Sequence, residues 1–354
     1  GIVLPDQKTS KGVCCMNRDT ICVQGNEGNF MYGNASLSYY DPEKREADNQ
    51  VFYNANNFPL GDVCQSMSII GGRGFVVVNN SGKVFVIDIN TFKYLGVIKG
   101  LTSPRYIQQV SDDKIYISDI YSPFIAIADP KTLEVTGRVY MGTRNGPGKV
   151  NGTEQMVMHG NYVYVCSWSY NNKIYKIDTR TDEVVDSIGV TKQPNSMALD
   201  KNGKIWVLSD GSYKGSPYGQ ERASLIKIDA ERFAVEAIMD FPTMECSPSE
   251  LCINGARDRI YFINGSWAGE GVANSGIYTM GVEETTLPSA PLIPEDGRLF
   301  YALAIHPKTG EIYFSDAIDY VQRGIVFRYS ADGRRIDEFK VDIIPGAFCF
   351  KTVE

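Results

Sequence analysis

Lys173-Ile-Tyr-Lys-Ile-Asp178, followed after a short polar turn by Val184-Val-Asp-Ser-Ile188, decides the fold. Apolar residues alternating on both sides of an Asp-bearing turn predict the two strands of an antiparallel hairpin. The same unit stands at 83–88 with 95–98, at 124–129 with 135–139, and at 224–229 with 234–238. Weaker copies occupy 36–41, 276–280 and 325–330. Their turn anchors, at 41, 88, 129, 178, 229, 280 and 330, recur about every fifty residues, a repeat length that signals stacked or radial units. Seven such units predict an all-β fold, a seven-bladed β-propeller with four-stranded blades.

The rest of each unit follows. Before every hairpin lies a strand with period-2 alternation, such as Lys114-Ile-Tyr-Ile-Ser118, Lys204-Ile-Trp-Val-Leu208 or Glu311-Ile-Tyr-Phe-Ser315. Before that comes a shorter strand, often opened by proline, as at Pro104-Arg-Tyr-Ile107 and Pro194-Asn-Ser-Met-Ala-Leu199. In chain order these are strands A, B, C and D. Pro345-Gly-Ala-Phe-Cys-Phe350 reads as an A strand with no B strand after it, and Asp19-Thr-Ile-Cys-Val23 as the missing B strand. Pairing of the N- and C-terminal strands in one blade is therefore expected to close the ring and remove open sheet edges. Residues 1–18 are read as an N-terminal extension and 19–354 as a single propeller domain. Between the strands no helical periodicity of useful length occurs, which excludes a parallel α/β fold.

Composition agrees and narrows the function. The 354 residues include 34 Gly and 16 Pro, as a turn-rich chain needs. A net charge of −7 argues against nucleic acid or an anionic membrane as partner. A hydrophobic content of 43% is that of a globular protein, and no apolar run approaches a membrane-spanning length.

In such a blade the B–C and D–A loops share one face, and the A–B and C–D turns the other. The turns are short and polar. The B–C loops carry two of the three tryptophans, Trp168 and Trp267, with Phe30, Tyr32, Tyr121, Tyr170, Tyr213 and Tyr320. Aromatic residues with a flat apolar face and a polar handle suit ligand contact, although they also pack between blades. Tyr106, Arg144 and Arg298 join them from the D–A side, while Arg105, Glu154, Asn195, Ser249 and Glu250 are expected at the channel mouth. Together these predict a concave, aromatic-walled ligand face.

Catalysis fits poorly. His159 and His306 fall in A–B turns on the opposite face, so a nucleophile on the ligand face has no histidine base. A metal held by Glu27, Glu154 or Glu250 would make a lactonase-like or lyase-like enzyme, but no dense acidic loop supports it. No catalytic or metal residue is assigned, and no cofactor. The eight cysteines lack zinc spacing; Cys22 with Cys349, or Cys246 with Cys252, are conceivable bridges. Asn34, Asn79, Asn151 and Asn264 begin Asn-x-Ser/Thr triplets.

Asn26-Glu-Gly-Asn-Phe30, Leu37-Ser-Tyr-Tyr-Asp41, Leu60-Gly-Asp-Val63 and Pro104-Arg-Tyr106, in this order, resemble the surface propellers of Bacteroidetes with YncE-like repeats. Within that group the chain resembles the BtuG-type lipoproteins. The resemblance implies capture of a corrinoid, vitamin B12, as bound ligand rather than cofactor. It further implies delivery to a TonB-dependent outer-membrane transporter and a place on the cell surface. The membrane would be met only through a lipid anchor on a cysteine other than Cys14, Cys15 or Cys22. A glycan-binding or protein-interaction propeller is the alternative.

Overall fold

The computed structural model describes residues 12–17, 35–61, 63–143, 149–266 and 274–351. Among them, one short helix, Val51–Asn56, accompanies seven four-stranded antiparallel sheets. The fold is an all-β propeller. Six blades are each drawn from one continuous stretch of chain: 64–98, 104–140, 156–189, 194–240, 246–294 and 300–343. The further sheet is composite, with the strand order Pro345–Lys351, Gly12–Asn17, Ser36–Asp41, Glu46–Asp48. In each continuous blade the strand first in the chain is innermost, and in the composite sheet it is Pro345–Lys351. Pro345–Lys351 touches both the innermost strand Cys64–Ile70 and the innermost strand Phe300–Ile305.

The recurring Asp has a local job. At the end of four C strands its Oδ1 accepts the amide two residues on: 2.7 Å at Asp88, 2.8 Å at Asp129, 2.9 Å at Asp178 and 3.1 Å at Asp229. This side-chain turn bends the chain without glycine. Four residues after each Asp the backbone is left-handed, at Phe92, Leu133, Asp182 and Phe233. That conformation costs roughly 1–2 kcal/mol outside glycine. Phe92 and Phe233 offset it by burying their rings, against Tyr39 and Tyr164 respectively.

Each blade is covered on both faces, so its middle strands read as nearly continuous apolar runs. Ile205 and Val207 pack with Tyr164 and Cys166 of the preceding blade. Their neighbours Trp206 and Leu208 pack with Ile260 and Phe262 of the next, as strand alternation requires. The composite sheet is held to the blade 300–343 through side chains. Tyr40 stacks on Phe339 at 4.0 Å and donates its hydroxyl to Asp337, while Ser36 Oγ donates to Asp342 Oδ2 at 2.8 Å. Burial, and then Asp337, push the Tyr40 hydroxyl up to about 12.

Several expectations need correcting. The strand paired with Pro345–Lys351 is Gly12–Asn17, not 19–23, which lies outside the described residues. Both runs are short and apolar, and pairing on two sides, rather than intrinsic propensity, selects one. In the observed register Cys14, not Cys22, stands opposite Cys349. Cys246 and Cys252 are both free and lie on one strand, Cys246–Ile253. At about 3.3 Å per residue they stand too far apart to bridge. Asn79 and Asn264 are buried, so neither is available for glycosylation.

Candidate functional site

The innermost strands begin at the loop face, and most of them begin irregularly. The register skips Gln65 between Cys64 and Ser66, Arg105 and Tyr106 between Pro104 and Ile107, and Asn195 between Pro194 and Ser196. It skips Glu250 and Leu251 between Ser249 and Cys252, and Tyr301 and Ala302 between Phe300 and Leu303. A bulge of this kind releases a residue from the ladder and re-aims its side chain. Gln65, Arg105, Tyr106, Asn195 and Glu250 all line one cavity of about 250 Å³ at the channel mouth, with Trp168 and Glu154. The bulges thus set the polar lining.

Within the cavity the polar groups converge in pairs. Arg105 Nε donates to Glu154 Oε2 at 2.7 Å, linking two neighbouring blades. Asn195 Nδ2 donates to the Pro248 carbonyl at 3.0 Å and accepts from Ser196 Oγ at 2.8 Å. Ser196 Oγ in turn accepts the Leu251 amide at 3.0 Å, which holds the bulge of the next blade.

Asp210 organises the wall. A Ser-Asp pair ends three B strands, at Asp119, Asp210 and Asp316. Asp119 binds the amides of Thr102, Ser103, Tyr121 and Ser122, and Asp316 those of Leu299 and Ile318, so both latch a B–C loop to the D–A segment before it. Asp210 keeps only one such amide, Ser212 at 2.9 Å, and takes side chains instead. Trp168 Nε1 donates at 2.8 Å, Gln193 Nε2 at 2.9 Å and Asn195 Nδ2 at 3.5 Å. Burial pushes the Asp210 carboxyl above its ordinary range, and these donors pull it back.

Beyond the cavity, Tyr170 and Tyr213 share a hydroxyl–hydroxyl hydrogen bond of 3.0 Å, and Tyr170 meets Tyr218 edge-on at 6.4 Å. The bond to Tyr213 raises the Tyr170 hydroxyl. Lys192 Nζ lies 4.8 Å over the Tyr218 ring. Tyr121, on the B–C loop of the preceding blade, is 65% exposed. Elsewhere on the loop face, Tyr320 meets the bulge residue Tyr301 edge-on at 5.8 Å.

Of the residues expected at the site, Arg105, Tyr106, Glu154, Trp168 and Asn195 therefore share the cavity, and Tyr121, Tyr170, Tyr213 and Tyr320 stand on B–C loops of the same face. Phe30, Tyr32, Arg144 and Trp267, with Glu27, lie outside the described residues. Arg298 turns away. Its guanidinium stacks against Phe300, Phe314 and Phe327 and donates to Tyr329 OH at 3.2 Å, within the blade 300–343. Glu154 and Glu250 line the cavity, and among the described residues no three metal-binding side chains cluster. His159 bonds Glu231 at 2.8 Å, and His306 accepts two amides of its own turn, both on the face away from the cavity. Asp210 and Gln65 were missed. The repeated Ser-Asp was the available signal for Asp210; a bulge position has none.

The family of the domain of unknown function DUF5074 matches residues 22–350. The chain belongs to that family. No curated protein sequence matches this DUF5074 chain. Solved structures share its fold at low identity. A quinonprotein alcohol dehydrogenase-like protein from Bacteroides thetaiotaomicron is 16% identical with a TM-score of 0.64, over 89% of this chain and 76% of that one. Apo AztD from Citrobacter koseri is 10% identical with a TM-score of 0.56, over 96% and 98%. Hydrazine synthase from Kuenenia stuttgartiensis is 14% identical with a TM-score of 0.59, over 80% and 88%.

Proposed function

We propose that this protein is a binding protein, not an enzyme, and holds a bulky small molecule across the loop-face mouth of its channel. The observation that carries this reading is the set of bulges that aim Gln65, Arg105, Tyr106, Asn195 and Glu250 into one cavity. Such irregularity weakens the sheet locally and brings amide, guanidinium and carboxylate groups together. A volume of about 250 Å³ admits only part of a large ligand, so the remainder lies over the tyrosines outside it.

A corrinoid is the specific candidate, on the resemblance of the N-terminal third to the BtuG-type lipoproteins. Its apolar faces would pack on Trp168 and the tyrosines, and its rim amides would meet Gln65, Asn195 and Arg105. With that ligand goes the role of a lipid-anchored outer-membrane protein that passes its cargo to a TonB-dependent transporter. In the same reading the composite sheet acts as a seventh blade and closes the ring. The exposed tyrosine group also favours a second ligand class, a glycan stacked on aromatic rings.

Calorimetric titration with cyanocobalamin, and with cobinamide as a second ligand, tests the proposal. We expect one-to-one binding, weakened at least about tenfold by Arg105→Ala, which removes a charge-assisted contact. No heat with either ligand would leave the glycan reading in its place.

A further inference from the structure

The outer strand of the blade 246–294 is only Ile293–Pro294, whereas the outer strands of the other continuous blades have five to nine residues. The sequence gives the reason. Pro288, Pro291 and Pro294 cannot donate to a ladder, so the connection after Gly281 cannot pair along its length. The flank that a longer strand would cover is therefore hollow. A cavity of about 410 Å³ occupies it, at the loop-face end of the core shared with the blade 194–240. Among the described residues it has no lining residue in common with the channel mouth.

Its walls are largely apolar. Phe262 and Tyr278 stack at 5.5 Å with their planes 4° apart, and Phe241 meets Phe262 edge-on at 5.7 Å. Leu287 and Pro288 close the outer side. Thr243, Glu245, Asn274 and Ser289 also line it but are exposed, whereas Asn264 is buried. Asn264 ends its B strand at 4% exposure, with Nδ2 turned to Cys246 Sγ at 3.8 Å. Its Oδ1 is buried and accepts no hydrogen bond. An unmet carbonyl acceptor in an apolar chamber is unfavourable by roughly 1–3 kcal/mol, and a donor brought by a ligand removes that penalty.

We infer that this chamber is a second binding site, separate from the channel mouth, for a small flat aromatic molecule carrying a single N–H or O–H donor. The ring would lie among Phe241, Phe262 and Tyr278, and the donor would meet Asn264 Oδ1. Volume, largely apolar walls and one buried directing acceptor are what such a ligand needs. The site does not depend on the corrinoid reading.

Titration of the whole protein with indole, phenol and benzene tests the inference. Saturable binding of indole or phenol is expected, at least about tenfold tighter than benzene, which has the shape without the donor. Asn264→Leu should reduce that binding at least about tenfold and leave any cyanocobalamin titration unchanged, which keeps the two sites distinguishable. Leu287→Trp, which fills the chamber from its outer wall, should do the same and guards against a folding defect in the first variant. Absence of saturable binding, benzene binding as tightly as indole, or indole binding unaffected by both substitutions would each overturn the assignment. So would a single ordered water on Asn264 Oδ1 that indole fails to displace.

Discussion

On the turn face, Asp88, Asp129, Asp178 and Asp229 repeat one geometry, each accepting the amide two residues on. On the loop face, Asp119, Asp210 and Asp316 share a position at the end of a B strand but not a set of partners. Two tryptophans sharpen the contrast. Trp206 is fully buried and donates Nε1 to Asp200 at 2.9 Å, on the turn side of the blade 194–240. Trp168 makes the same bond to Asp210 at 2.8 Å but lines the cavity. The same indole–carboxylate pair thus serves the core in one region and a ligand wall in the other. Repetition marks what the fold requires, and departure from it marks what the site adds.

Trp206→Ala should have the largest effect on stability, a loss of about 3–5 kcal/mol from cavity formation in the core. Thermal and denaturant unfolding would register it; a loss below about 1 kcal/mol would erase the distinction between the two tryptophans. Asp210→Asn should come next, at roughly 1–3 kcal/mol, because an amide nitrogen would replace one acceptor oxygen among the donors Trp168, Gln193 and Asn195. The same variant reports on pH. Burial raises the folded-state pKa of Asp210, so its contribution to stability is fully present below the unfolded value and is lost as pH rises through the folded one. The gap between wild type and Asp210→Asn should therefore widen on acidification towards pH ~4. A narrowing gap would mean that the hydrogen bonds to the carboxylate outweigh its burial. Trp168→Ala should destabilise least, by about 1 kcal/mol, while weakening ligand binding at least tenfold. Unchanged affinity in a folded variant would move the site off this wall.

Much of the turn face was legible because its causes are local. An Asp followed by a polar turn and a second apolar run needs no distant partner to be recognised. The propeller could be read from that repeat, and Arg105, Glu154 and Asn195 from their places beside the openings of A strands. Bulges are different, since whether Gln65 is skipped depends on how Cys64 and Ser66 pair with Val78 and Val77. The strand Gly12–Asn17 is likewise chosen by its neighbours on both sides. Arg298 was read from its loop, but the aromatic rings of its own blade determine where its guanidinium goes. Asp210 stands in a Ser-Asp pair that recurs at 118–119, 209–210 and 315–316, a local signal the sequence does carry.

Pairing of Gly12–Asn17 with Pro345–Lys351 joins segments separated by over three hundred residues. Every other sheet forms from a stretch the ribosome delivers in one piece; this one cannot. At roughly 5–20 residues per second, the N-terminal segment waits tens of seconds for its partner to be synthesised. Through that interval the sheet that covers Val76 and Val78 on one side, and Tyr313 and Val326 on the other, is unassembled, and uncovered apolar faces invite association with other chains. Assembly of the composite sheet is then expected as the final and slowest folding event. The nascent chain is most open to aggregation, or to a chaperone, just before it.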